Sequence, residues 1–257
     1  MTNIEKCREK IVSFIRDYLN GSGHRTGVVG VSGGVDSSLV FFLTCEAIGA
    51  ENTVGALLPH ADSSPVFTDR ARKIVAMKGG DLRYFDITET VNSFQKLSST
   101  ADSRRIGNIM ARVRMTALFD IAAESEGLVI GTGNKTEILL GYFTVFGDGA
   151  CALEPLGDLY KSEVWEMARL LGIPEEIVVQ PPTADLWEGQ TDEGELGISY
   201  DTADRILSLL VERELSIEQI TDIGFKRKDV ERVVMLVKNS EFKRRMPPFP
   251  ELRPAPG

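Results

Sequence analysis

The stretch Gly30–Ser38, reading GVSGGVDSS, constrains this chain more than any other. The run leading into it, Gly27–Ser32 (GVVGVS), is short, apolar and β-branched, the pattern of a strand buried in a parallel sheet. The run leaving it, Asp36–Ala47 (DSSLVFFLTCEA), predicts a buried helix with Phe41 and Phe42 in the core. Strand, glycine pair and helix in that order put the loop beyond the carboxyl end of a strand, where open α/β sheets bind ligands. Gly33 and Gly34 let the backbone turn tightly and approach phosphate oxygens with no Cβ in the way. The helix N-terminus and the freed N–H groups favour an anion, and Ser32, Ser37 and Ser38 add hydroxyl donors. Asp36 would repel a phosphate, and makes sense as a ligand of a Mg²⁺ that the phosphates share. The loop is neither GxxxxGK[ST] nor GxGxxG.

The rest of the chain continues the alternation. Ile4, Cys7, Ile11, Phe14, Ile15 and Tyr18 predict a helix over 3–20, stopped at Gly21 and Gly23. Further strands are expected at Thr53–Leu58, Leu82–Ile87 and Leu128–Thr132, with helices over Thr68–Lys78 and Ser103–Glu126. In the latter, Ile109, Val113, Ala117 and Ile121 share a face. The fold class is therefore α/β, a Rossmann-like open parallel sheet with helices on both faces. Residues 141–160 and 180–200 are rich in Gly, Pro and Asp without a period, and read as functional loops or lids. Helices are expected again at Ser162–Leu171, Tyr200–Arg213, Ile217–Ile223 and Lys226–Lys238, before an extended proline-rich tail. With no repeat and no linker, residues 1–257 are expected to form one domain with helical N- and C-terminal extensions.

Composition removes several function classes. A formal net charge of -9 leaves no global positive field to hold nucleic acid. Three scattered cysteines offer neither a disulfide framework nor a CxxC site, and two histidines leave little for zinc or Ser-His-Asp chemistry. There is no apolar run of membrane-spanning length and no cleavable leader, so a cytoplasmic protein without membrane contact is expected.

In its strand–loop–helix setting, SGGVDSS resembles the signature of the PP-loop ATP pyrophosphatase superfamily, with its adenine nucleotide alpha hydrolase-like fold. Members cleave ATP to AMP and pyrophosphate and activate a carbonyl or carboxyl oxygen as an adenylate. Further strings narrow the resemblance: Asn108–Met115 (NIMARVRM), Gly131–Leu140 (GTGNKTEILL), Gly141–Gly149 (GYFTVFGDG), Pro155–Lys161 (PLGDLYK), Pro181–Leu186 (PPTADL) and Asp192–Gly197 (DEGELG). Together they resemble the ammonia-dependent NAD synthetase family from about residue 25 to about residue 245.

That resemblance implies ATP-dependent amidation of deamido-NAD by ammonia, giving NAD, AMP and pyrophosphate. It implies ATP contacts at Gly30, Val31, Ser32, Gly33, Gly34, Val35, Asp36, Ser37, Thr132, Lys161 and Thr183. Asp36 and Glu137 would hold Mg²⁺, and Arg112 and Lys243 would contact deamido-NAD. It also implies a homodimer with the acceptor near the subunit interface. Taken alone, Arg112 or Glu137 reads as a surface ion pair, Lys161 at a helix start as a solvated charge, and Thr132 and Thr183 as a strand end and a turn cap. Arg112 lies four residues after Asn108, so the two share a helix face. His60 reads as a loop residue. The length leaves no room for a separate glutaminase domain, so free ammonia is the expected nitrogen source.

Three positions depart from the pattern. Val145 stands where many members carry Lys, Ala152 where many carry Asp, and Phe242 replaces His in the commoner Glu-His-Lys. All three fall on the acceptor half of the expected site, so a different carboxylate acceptor stays open. So do a tRNA-modifying relative, which the acidic charge disfavours, and a nucleotide-binding regulator without catalysis.

Overall fold

The computed structural model describes residues 3–99, 101–183, 185, 189, 191–250 and 252. Four short strands, β1 (Thr26–Gly30), β2 (Thr53–Leu57), β3 (Asp81–Tyr84) and β4 (Gly127–Ile130), form a parallel sheet in the order β3-β2-β1-β4. β1 pairs Val28 with Val54 on one side and with Val129 on the other. The chain thus winds outward in both directions from β1. A crevice opens beyond the strand ends at such a switch point.

Alternation along β1 decides what covers each face. Val28 joins a cluster with Met110, Val113 and Ala117 of α5 (Ser103–Glu124), beside α4 (Thr88–Ser98). Val29 joins Ile15 of α1 (Ile4–Gly21) and Leu39 and Val40 of α2 (Val35–Ile48). Apolar side chains therefore cover both faces of β1, which is why it reads as a hydrophobic run. Eleven of the fourteen residues of α2 are buried. Each large apolar side chain so buried contributes about 1.5–3 kcal/mol, so the loop before α2 hangs on the most deeply anchored helix. α3 (Pro65–Lys78), α7 (Lys161–Leu170) and α8 (Glu175–Val178) complete that face.

A separate cluster gathers the C-terminal helices. Tyr200, Ala203 and Ile206 of α10 (Tyr200–Leu207), Ile220 of α11 (Ile217–Asp222) and Val230 and Val233 of α12 (Arg227–Asn239) pack with Leu140 of α6 (Lys135–Leu140) and Leu196 of α9 (Asp192–Leu196). Arg244 binds this cluster to α6, its Nη1 donating to the Leu139 carbonyl at 2.8 Å and its Nη2 to the Val237 carbonyl at 2.9 Å.

The expected strands and long helices are present, with shifted ends. β1 stops at Gly30, not Ser32, because Ser32 is drawn into the following turn, although the Val31 N–H still reaches the Ala56 carbonyl at 2.9 Å. The helix expected over Tyr200–Arg213 changes at Ser208 into a π-helical turn. α4, α6, α8 and α9 fall in stretches where no period is visible. Three of them are six residues or fewer, and α4 buries only Val91. The proline-rich tail and part of the 180–200 segment lie outside the described residues. Among the described residues no helix is long and apolar enough to cross a membrane.

Candidate active site

The loop between β1 and α2 is stapled by its own serines. The Ser32 N–H donates to Ser37 Oγ at 3.2 Å, the two hydroxyls lie 3.0 Å apart, and Ser38 Oγ donates to the Gly34 carbonyl at 2.7 Å. Gly33 has φ +87°, and a Cβ there would lie 2.2 Å from the Phe67 carbonyl oxygen. No side chain caps the N-terminus of α2, so its first-turn N–H groups lack intrahelical partners and are available to an anion. A cavity of about 910 Å³ opens here, lined by Gly30, Val31, Ser32, Gly34, Val35, Asp36 and Ser37.

Across the cavity, Lys161 is 2% exposed at the start of α7. Its Nζ donates to Asp36 Oδ2 at 2.5 Å and to Glu137 Oε1 at 3.1 Å, and lies 5.1 Å from the centre of the Tyr200 ring. Burial works against the ammonium, but Asp36 and Glu137 outweigh it and hold Lys161 well above the ordinary lysine range. Burial pushes Glu137 up to about 7, with Lys161 opposing and Asp36 and Asp192 reinforcing the rise. Asn134 orders the group: its side chain accepts the Glu137 N–H at 3.0 Å, capping α6, and donates to Asp36 Oδ1 at 2.9 Å.

Two tyrosines extend this network toward α9. The Tyr200 hydroxyl donates to Asp192 Oδ2 at 3.2 Å, and the Tyr142 hydroxyl to Glu195 Oε2 at 2.5 Å. Beneath them, Asp204 accepts from the Thr136 hydroxyl at 2.5 Å and from the Ser162 N–H at 2.8 Å, fixing the starts of α6 and α7 relative to each other.

Asp36, Glu137 and Asp192 outnumber the single ammonium among them, and carboxylate oxygens suit a hard divalent cation. Among the described residues no group of three or more potential metal ligands converges on one point. A cation held by Asp36 and Glu137 would therefore complete its shell with water and oxygens of a bound ligand. That pattern suits Mg²⁺ with a nucleotide.

The structure brings most of the predicted residues together. Thr132, Glu137, Lys161, Thr183 and Lys243 all line the same cavity as the serine-stapled loop. Thr183 Oγ1 accepts the Asp185 N–H at 3.1 Å, and Asp185 in turn accepts the Ser64 N–H at 2.9 Å. Lys243 Nζ donates to the Gly141 and Phe143 carbonyls, each at 2.7 Å. Lys161 is not the solvated charge usual at a helix start, because two carboxylates receive it. Asn108 and Arg112 do share a face: Asn108 Oδ1 accepts from the Thr144 hydroxyl at 2.9 Å, and Arg112 Nη2 donates to the Val145 carbonyl at 3.3 Å. Arg112 itself is exposed and outside the cavity lining, as is Phe242; Val145 and the half-buried Ala152, which packs against the core, also lie outside that lining. His60 is a buried loop residue whose Nδ1 accepts the Asp62 N–H at 3.2 Å.

Arg114 was missed. It lines the cavity, with Nε donating to the Leu58 carbonyl at 3.0 Å and Nη2 to Ser63 Oγ at 3.4 Å. Burial depresses its guanidinium, and among the described residues no carboxylate lies within ion-pair distance of it. Two residues along a helix is a rotation of about 200°, so the string ARVR alone leaves open which arginine faces the site.

A phosphate-sized cradle at the central strand, faced by paired carboxylates and a buried lysine, defines a nucleotide-binding α/β protein of the PP-loop type. The NAD synthase family model matches residues 7–247. An NH(3)-dependent NAD(+) synthetase of Fusobacterium nucleatum is 42% identical over 245 residues, 95% of each chain. Among solved structures, the NH3-dependent NAD synthetase of Campylobacter jejuni superimposes with a TM-score of 0.84 at 29% identity, covering 98% of this chain and all of that one. NMN synthetase from Francisella tularensis does so with a TM-score of 0.88, also at 29% identity, with the same coverage. This chain belongs to the NAD synthase family.

Proposed function

We propose that this protein is an ammonia-dependent NAD synthetase, using ATP to amidate deamido-NAD. The observation that carries the reading is the cavity itself. The loop Gly30–Ser37 (all but Gly33, which turns the chain behind it), Thr132, Lys161 and Thr183 surround one space, with Asp36 and Glu137 on its wall. In the first step a carboxylate oxygen of the nicotinate bonds to the α-phosphorus of ATP as the bond to the β-phosphate oxygen breaks. In the second, ammonia nitrogen bonds to the carboxyl carbon, AMP leaves with the bridging oxygen, and the nitrogen gives up a proton to solvent to leave the neutral amide.

The residues take roles by their chemistry. The loop N–H groups and serine hydroxyls hold the departing pyrophosphate. Lys161 supplies a cation to the phosphates. Asp36 and Glu137 would hold Mg²⁺, which screens the triphosphate from the incoming carboxylate when bound. Lys243 and Arg112 would contact deamido-NAD. Lys243 is at the cavity, whereas Arg112 is on the outer surface, where an acceptor lying near a second copy of the chain would pass. Phe94 and Leu97 of α4 and Phe119 of α5 are exposed on the same helical layer, which supports a homodimer. The chain acts as one unit with helical extensions at its ends, in the cytoplasm, without nucleic acid.

The test is incubation with deamido-NAD, ATP, Mg²⁺ and ammonium. NAD, AMP and pyrophosphate are expected in equal amounts, and formation of ADP would sink the reading. A second acceptor merits a parallel arm, the carboxylate precursor of NMN, because of the likeness to the Francisella tularensis enzyme. A higher kcat/KM for that mononucleotide would reassign the acceptor and leave the adenylating chemistry in place. Sedimentation as a monomer would remove the homodimer.

A further inference from the structure

The wall of the cavity beside β4 is shaped by a carboxylate that none of the roles above uses. Residues 151–153 run parallel to β4: the Ala152 N–H donates to the Val129 carbonyl at 2.9 Å, and the Gly131 N–H to the Leu153 carbonyl at 2.8 Å. At the next residue, Glu154 reaches back across the gap. Its Oε1 accepts the Gly133 N–H at 2.9 Å and its Oε2 accepts the Cys151 thiol at 2.7 Å. The glycines on either side of Thr132 fit this carboxylate. A Cβ on Gly133 would lie 2.5 Å from Oε1, and one on Gly131 would lie 2.7 Å from Oε2 and 2.6 Å from Cys151 Sγ. Neither glycine has a positive φ. Close approach, not conformation, therefore accounts for both.

The residue after Gly133 is Asn134, which caps α6 and donates to Asp36. The segment after Glu154 turns through Gly157, whose N–H donates to the Glu154 carbonyl at 3.1 Å. It then meets α6 where the Lys135 N–H donates to the Leu159 carbonyl at 2.8 Å, two residues before Lys161. One carboxylate thus sits where the segment bearing Thr132, Asn134 and Glu137 crosses the segment that delivers Lys161.

We propose that Glu154 is a positioning residue of the nucleotide site. By clasping the Gly131–Gly133 turn, it sets Thr132 and the Asn134–Asp36–Glu137 group for Mg²⁺-ATP. This rests on the reading of those residues as the ATP and metal site. Without the carboxylate, the Gly133 N–H loses its acceptor in a half-buried turn and the two segments are free to part.

The experiment is equilibrium titration of Mg²⁺-ATP, without acceptor, on Glu154→Gln, Glu154→Ala, Gly133→Ala and the Gly133→Ala/Glu154→Ala pair, with thermal unfolding alongside. Glu154→Gln keeps an oxygen for the Gly133 N–H, so ATP affinity within about threefold of the parent is expected, whereas Glu154→Ala should lose about tenfold or more. Gly133→Ala should lose a similar factor because its methyl group meets Glu154. The double variant should bind no worse than Glu154→Ala, since the methyl enters vacated space and the two losses are not additive. Wild-type ATP affinity in Glu154→Ala would overturn the proposal, and so would additive losses in the pair. A fall in melting temperature with ATP affinity unchanged would make Glu154 structural only. Turnover is read separately: a parent protein that binds ATP but forms no NAD overturns the functional reading, while the titrations still decide the clasp.

Discussion

Lys161 Nζ lies 2.5 Å from Asp36 Oδ2, joining residues 125 apart in sequence, and the same ammonium reaches Glu137. Three elements meet at that atom: the start of α2 through Asp36, α6 through Glu137 and the start of α7 through Lys161 itself. The cavity therefore keeps its shape through a cation the chain carries with it.

Replacing that cation is the most direct test. Lys161→Met keeps the bulk of the side chain and leaves Asp36 and Glu137 facing each other. Breaking a buried pair by removing one partner typically costs about 3–5 kcal/mol, and a loss toward the lower end is expected because both carboxylates keep some solvent contact. Urea unfolding with and without Mg²⁺ measures it. Added Mg²⁺ should restore more stability to the variant than to the parent.

The two glycines of the loop should separate. Gly33→Ala forces a side chain into a left-handed backbone and onto the Phe67 carbonyl. Such strain costs about 1–3 kcal/mol, and ATP binding should fall with it. A Cβ on Gly34 meets only Ser32 Oγ at 3.4 Å, so Gly34→Ala should leave the melting temperature nearly unchanged. Equal destabilisation by both would contradict this account of the turn.

The paired arginines of α5 should also divide. Arg114→Ala should raise the KM for ATP, because its guanidinium stands in the cavity beside Leu58 and Ser63. Arg112→Ala should act on the acceptor alone and leave the KM for ATP in place. Steady-state kinetics with each substrate varied in turn distinguishes the two outcomes.

Glu154 gives a pH signature. Burial, first of all, raises its carboxyl above the ordinary glutamate value of 4.5, Asp148 adds to the rise, and the Cys151 thiol and the Gly133 N–H oppose it. A folded-state value above the unfolded one favours the protonated form in the fold. Its contribution is complete below about 4.5 and declines as pH climbs through the folded value. Glu154→Gln does not titrate, so its stability relative to the parent should improve as pH rises from 4.5 toward neutrality. A constant difference across that range would show that the carboxyl is not shifted.

The loop and the sheet were legible because their signals are local. A β-branched run, a glycine pair and an apolar helix read in order place a phosphate cradle without knowledge of the rest of the chain. The Lys161 contact was not legible as geometry, since nothing near residue 161 marks it as buried, and only its place in PLGDLYK drew attention to it. Arg114 was hidden for another reason. Which face of α5 meets the cavity depends on how Met110, Val113 and Ala117 seat the helix against Val28, and that rotation is a property of packing. Short helices such as α6 and α9 carry too few residues to show a period, yet they hold Glu137, Asp192 and Glu195.

Val145, Ala152 and Phe242 all lie off the cavity wall. A lineage can therefore exchange residues there without reopening the phosphate cradle, and heredity can act on the two halves of the molecule at different speeds. Exchange at these three positions and a fixed arrangement around Asp36 are then compatible within one molecule.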